Sequence, residues 1–248
     1  MSTTKKDVTG FSGSQNFDYA GSDLEHMDFA VNYHKHILNL FSKYLGKNVM
    51  EVGAGSGSFT NLIAESYPNL NITSLEPSDS MFKSLQENTA ANPKIEAKKE
   101  FLEDITPELK AKNIDSVVYV NVLEHIEKDV EILKRTNEIL TPGGHVLSFT
   151  PAMPMLMSKF DKELGHYRRY TLNEMKNKME EAGFEIVEAY YFDLIGTFLW
   201  WLKFTVLGST SIGAGNSKLF DKVFVPIIKL EPRWLPFGKN IVVIGRKK

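Results

Sequence analysis

The sequence predicts an α/β protein: a mostly parallel sheet with helices on both faces and an apolar C-terminal insertion. Three observations carry this expectation. Short apolar runs alternate with segments of helical spacing from residue 47 to 150. The runs are apolar throughout rather than at every second residue, as strands buried on both faces are. A glycine-rich turn, 49-VMEVGAGSGSFT-60, joins the first of these runs to a helix.

Apolar residues at helical spacing (Phe29, Val31, Ile37, Leu38, Leu40, Phe41, Leu45) predict a helix over about 24–45, with Gly46 as its C-terminal cap. Strands are expected at 47–52, 71–76, 94–99, 115–122 and 145–150. Helices are expected over about 58–66, 78–88 and 127–140, the last ending at the turn 141-TPGG-144. Beyond Thr150 a Met/Pro-rich loop precedes 161-DKELGHYRRYT-171. Thr171 then N-caps a helix over 172–182, with Glu174 at the capping-box position. Strand 184–192, an apolar segment 194–207, a Gly/Ser loop 208–217 and a closing strand 240–247 follow. The polar stretch 1–23 is expected to be a flexible arm. Residues 24–248 are expected to form one domain, with acceptor-side insertions at about 151–171 and 193–237.

A formal net charge of −2 gives no general attraction to nucleic acid. The absence of cysteine excludes disulfides, thiolate metal sites and a cysteine nucleophile, and it fits a cytoplasmic setting. No metal ligand set is expected.

The glycine loop lies where parallel strands end, the place such sheets bind ligands. Glycine tolerates unusual torsions and lets a ligand approach the backbone. Glu76, ending the second strand, stands at the spacing at which an acid meets a ribose. A dinucleotide loop would have its third glycine at 58, where this chain has Ser58; here the third is Gly57. Glu51 beside the loop would repel a pyrophosphate but suits an ammonium or sulfonium group. Asp104, with Glu103 as the alternative one residue out of register, offers an acceptor for an adenine amino group. An adenosyl ligand bearing cationic groups satisfies all of these, and that ligand is S-adenosylmethionine.

VMEVGAGSGSFT, LEPSDSM, FLEDI, DSVVYVNVLEHI and LTPGGHVLSFTPA, in that order, resemble the class I S-adenosylmethionine-dependent methyltransferases. The resemblance implies a Rossmann-like sheet of seven strands with a reversed final strand. It implies that Glu51, Gly53, Ala54 and Gly55 line the methionine end and ribose, and that Glu76 takes the ribose hydroxyls. Pro77 and Met81 would pack on the adenine, Asp104 would meet its amino group beside Ile105, and Asn121 and Val122 would lie against the methionine moiety. Tyr33 is similar to a helix tyrosine that caps the cofactor in some relatives. GHYRRYT is similar to a subgroup found among glycan and lipid pathways.

Methyl transfer requires alignment above all, and a general base only where the acceptor must lose a proton. His125, at the tip of the fourth strand, and His166 and Tyr170, in GHYRRYT, are the catalytic candidates. Arg168 and Arg169 are candidates for gripping an anionic acceptor. The reading is a small-molecule methyltransferase acting on an oxygen of an apolar, lipid-like or glycan-linked acceptor. The alternatives are an NAD-dependent oxidoreductase and a non-catalytic cofactor-binding module. The apolar C-terminal segments would suit the acceptor, a membrane surface or a homodimer, and a monomer is equally compatible.

Overall fold

The computed structural model describes residues 30–209 and 214–248, apart from the side chains of 105–106 and 214–218. The arm expected at 1–23 and the start of the first helix lie outside the described residues. Helix α1 (Val31–Phe41) precedes β1 (Asn48–Val52), α2 (Ser58–Ser66), β2 (Asn71–Leu75), α3 (Asp79–Thr89) and β3 (Ile95–Lys98). Then come α4 (Leu102–Lys110), β4 (Ile114–Val120), α5 (Asp129–Ile139), β5 (Leu140–Pro151), α6 (Lys159–Glu163) and α7 (Leu172–Glu181). The chain closes with β6 (Phe184–Phe192), α8 (Leu194–Trp200), a π-helical stretch Trp201–Val206, α9 (Ala214–Val223), α10 (Val225–Ile228) and β7 (Asn240–Lys247).

The sheet has the order β3-β2-β1-β4-β5-β7-β6. Six strands run in one direction; β7 inserts between β5 and β6 and runs antiparallel to both. The reversed last strand is the one the resemblance implied. It also shows that the segment between β6 and β7 leaves the sheet and returns to it.

Successive strand residues face opposite cores. Val117 and Tyr119 join Leu102, Leu109, Ile132, Leu133, Met175 and Met179 on one face, beneath α4, α5 and α7. Val118 joins Ile37, Phe41, Leu62, Ile63, Val225 and Ile228 on the other, beneath α1, α2 and α10. That is the packing reason for strands apolar throughout their length.

Three expectations are corrected. Gly46 is not a left-handed cap: helical structure ends at Tyr44, and a Cβ at 46 would lie 2.1 Å from Asp115 Cβ, so glycine is needed for close approach. The turn at 141–144 is absorbed into β5, with a register irregularity between Ile114 and Ser116 and Gly143 at φ +79°. Between β3 and β4, where no helix is expected, the chain forms helix α4, which buries Leu102 and Leu109 seven residues apart on one face.

Candidate active site

The first cleft forms where β1, β2 and β4 end. Gly53, Gly55 and Gly57 have φ of +70°, +56° and +86°. A Cβ at Gly53 would meet Val122 at 2.8 Å and one at Gly57 would meet Leu85 at 2.8 Å, whereas one at Gly55 would meet nothing within 4 Å. The outer glycines are therefore fixed by packing as well as torsion. Gly55 turns a bare backbone toward open space, as close approach by a ligand requires.

Glu76 is buried at the end of β2. Its carboxylate accepts from the Gly55 amide (2.8 Å) and the Ser78 amide (2.9 Å). Burial raises its pKa, and those two amides oppose the rise. Ser78 also N-caps α3, so the carboxylate, the loop and the helix start hold one another. Glu51 is buried, accepts from Thr60 Oγ1, and is pushed up to about 8 by burial. The cleft measures about 560 Å³ with its open mouth; Gly53, Glu76, Pro77, Phe101, Glu103, Val122 and His125 are among its lining residues.

Of the expected cofactor residues, Gly53, Glu76, Pro77 and Val122 line this cleft, whereas Glu51, Ala54, Gly55, Asn121, Asp104 and Met81 do not. Asp104 and Glu103 are both exposed on the first turn of α4, and of the two only Glu103 lines the cleft. Met81, on α3, is buried and is not part of the lining. The side chain of Ile105 lies outside the described residues. Ala54 is buried, and both Gly53 and Ala54 donate their amides to Leu75 O at 2.9 Å.

A second cavity, about 540 Å³ with its mouth, adjoins the first. Its walls include Tyr33, Asn121, Glu124, Phe160, His166, Arg169, Trp200 and Lys239. His125 lines both spaces. Asn121 takes φ +54° at the tip of β4 and donates its amide to Phe149 O at 2.8 Å. Asparagine is among the few residues that adopt this conformation at low cost.

His125 and His166 meet edge to face, with ring centroids 4.6 Å apart. Burial, and then the His166 charge, lower the His125 pKa to about 3, so its ring is neutral near pH 7. His166 Nδ1 lies 3.1 Å from Asp161 Oδ1. Asp161 is held by the Ser158 amide and hydroxyl (2.7 and 2.6 Å) and by Arg169 (Nε, 2.9 Å). Burial alone would raise the Asp161 pKa, but His166 and Arg169 keep it well below the ordinary carboxylate range.

The remaining candidates separate. Tyr170 departs from its expected catalytic place: its hydroxyl lies 2.9 Å from Leu123 O and 2.8 Å from Asp129 Oδ2, and it lines neither space. Arg168 binds Asp129 and Glu127 O, also away from the cavity. Arg169 does reach the cavity, but Asp161 meets its charge and Ala152 O takes another of its donors. Tyr33 sits on the cavity side rather than over the first cleft, with its hydroxyl donating to Asp193 Oδ2 at 2.9 Å.

Sequence reasoning passed over Glu124, Phe160, Trp200, Lys239 and Asn240. Glu124 stands inside a motif already singled out, next to His125. The others carry no local signal, since they come from α6, α8 and the entry to β7.

The fold is that of the S-adenosylmethionine-dependent methyltransferases, and S-adenosylmethionine is the cofactor. The family model described as "Methyltransferase domain" matches residues 25–189, and the chain belongs to that family. Among curated proteins, a malonyl-[acyl-carrier protein] O-methyltransferase of Ilyobacter polytropus is 26% identical over 103 residues, 42% of this chain and 39% of that protein. A probable S-adenosylmethionine-dependent methyltransferase of Mycolicibacterium smegmatis is 26% identical over 155 residues, 62% of this chain and 56% of that protein. The matches thus span about half, or less, of these relatives' own lengths. Among solved structures, a methyltransferase from Archaeoglobus fulgidus superposes with TM-score 0.60 at 16% identity, covering 90% of this chain and 98% of that one. The Haloferax volcanii complex of a putative methyltransferase with the Trm112 activator gives TM-score 0.65 at 14% identity, covering 92% and 94%.

Proposed function

We propose that this chain transfers the methyl group of S-adenosylmethionine to an oxygen of a small-molecule acceptor with an apolar, lipid-like or glycan-linked body. The observation that carries the reading is the junction at His125. One space ends in the glycine loop and Glu76, the other is walled by Phe160 and Trp200, and the two share a single imidazole. The cofactor would lie in the first, with its ribose on Glu76, adenine beside Pro77 and Glu103, and methionine ammonium toward Glu51. Asn121 and Val122 would flank the methionine end.

The acceptor would enter through the second space and present its oxygen to His125 and His166. Transfer to a hydroxyl forms a C–O bond, breaks the S–CH₃ bond with its electron pair left on sulfur, and releases the hydroxyl proton. His166 has Nδ1 on Asp161, which leaves Nε2 as the nitrogen for the cavity; the unprotonated Nε2 of an imidazole can take a proton or bind a cation. Alignment across the junction supplies the larger share of the rate, of order 7–11 kcal/mol.

The apolar character of the acceptor rests on α8 and the π-helical stretch. Trp200 faces the cavity while Phe198, Leu199, Trp201 and Leu202 are exposed on the outer side of the same segment. A segment that walls the cavity and presents an apolar exterior suits an acceptor delivered from a membrane surface. Among the described residues no helix is long and apolar enough to cross a membrane.

Transfer of labelled methyl from S-adenosylmethionine should be assayed on hydroxyl-bearing small molecules and lipid extracts. Labelled product, lost in His166→Ala while S-adenosylhomocysteine still binds, is the expected result. Tight cofactor binding with no product from any acceptor class would favour the non-catalytic module instead.

A further inference from the structure

Glu124 is fully buried at the cavity wall, and neither of its carboxylate oxygens meets a donor from another residue. A buried carboxylate left so is costly, and native proteins leave few of them. The cations on the same wall are already matched: Arg169 lies 2.8 Å from Asp161, and Lys239 lies 2.8 Å from Asp193. Glu124 is the acid on this wall without such a match. Beside it stand His125 and His166, and one ligand atom of each of the three residues lies within 4.8 Å of the others.

From this arrangement we propose that Glu124, His125 and His166 bind a divalent first-row metal ion in the acceptor cavity. Two imidazoles and one carboxylate suit Mn²⁺, Fe²⁺, Co²⁺ or Zn²⁺, and three protein ligands leave coordination positions open toward the cavity. The surroundings of His166 fit the role. A metal-ligating imidazole needs its other nitrogen held by a carboxylate or carbonyl, and Asp161 holds Nδ1 while Ser158 and Arg169 fix Asp161. The chelate is also built on short spans: Glu124 and His125 are adjacent on the turn after β4, and Tyr167 N donates to Glu124 O at 2.9 Å, tying the His166 loop to that turn.

The chemical role of the ion rests on the oxygen-directed reading above; its binding does not. An acceptor hydroxyl coordinated at an open position loses its proton to water more readily. The resulting oxygen attacks the methyl carbon, S-adenosylhomocysteine leaves as a neutral thioether, and the net release is one proton. His166 then serves as a ligand, and no separate general base is required.

The test uses the full chain, stripped with a chelator, desalted and titrated with Co²⁺ under visible absorption. One Co²⁺ per chain with d–d bands of a four- or five-coordinate site is expected. Glu124→Gln and His166→Ala should each weaken it about 10–100-fold or more, while S-adenosylhomocysteine binding to Glu124→Gln reports that the fold is intact. The proposal is overturned if wild-type protein that binds S-adenosylhomocysteine takes up none of Co²⁺, Mn²⁺ or Zn²⁺ at millimolar concentration. It is equally overturned if Co²⁺ binds a variant carrying both Glu124→Gln and His166→Ala as tightly as wild type. Methyl transfer that persists undiminished in excess chelator would remove the role of the ion, whereas Co²⁺ binding without any transfer would remove the oxygen-directed reading and leave the site.

Discussion

The two adjoining spaces are built in different ways. The first is made largely of backbone and chain-local motifs: a glycine turn, the acid ending β2, the first turn of α4. The second is made of side chains drawn from α1, the tip of β4, the segment around α6, α8 and the entry to β7. A cofactor common to a whole class needs the same few backbone amides and one acid each time. An acceptor peculiar to one enzyme needs a cavity shaped by insertions. The contrast predicts that damage to the second space stops chemistry while sparing cofactor binding, and that damage to the first weakens cofactor binding itself.

The sharpest way to break this contrast is His166→Ala. We expect kcat to fall about 10²–10⁴-fold, with the dissociation constant for S-adenosylhomocysteine unchanged by calorimetry. A matching loss of cofactor affinity would show that the two spaces are not separable. Asp161→Asn should come next. It leaves the buried Arg169 without its countercharge, and denaturant unfolding should show a loss of about 3–5 kcal/mol. A variant as stable as wild type would mean that Asp161 serves His166 alone.

Glu76→Ala should weaken cofactor binding by roughly 10²-fold, since a charged acceptor for the ribose and the anchor of the Gly55 amide are lost together. Its Michaelis constant for the acceptor should hold. The smallest effect concerns Glu51. Its folded pKa, about 8, lies above its unfolded value, so the folded apo protein stays protonated where the unfolded chain ionises. The apo protein therefore loses stability as pH rises from about 4.5 toward 8. Glu51→Gln should raise the melting temperature at pH 8 by roughly 2–4 °C, about 1 kcal/mol. A cationic cofactor favours the ionised carboxylate, so wild-type binding at pH 7 should release protons and tighten as pH rises toward 8. Calorimetry in buffers of differing ionisation heat should detect that release, and Glu51→Gln should abolish it. Proton release unchanged in that variant would place the titrating group elsewhere.

Element by element, much of the parallel half was legible. β1, α2, β2, α3, α7, β6 and β7 fall within a residue or so of their expected spans, because each is an apolar run punctuated by a cap, a glycine or a proline. Helix α4 was not legible: Pro107 sits within it, and among its described side chains the buried apolar ones are Leu102 and Leu109. Because of it, Glu103 rather than Asp104 lines the first cleft. Similarly, GHYRRYT reads as a cluster of charges, yet only His166 and Arg169 face inward; Arg168 and Tyr170 turn to Asp129 on the helix α5. A loop without a repeating period gives no rule for which side chains point in.

The sequence by itself determined the class of sheet and the cofactor, and it singled out Glu76 at the end of the second strand. These rest on chain-local geometry, a strand, a turn and the next strand's end, which short-range torsion and spacing encode. Only the tertiary structure decided that His125 is shared by two spaces, that Tyr170 is a strut, and that an unmatched Glu124 stands beside two imidazoles. Those facts depend on which distant segments pack together around the reversed β7, and packing between residues 40 to 200 positions apart leaves no periodic trace in the chain.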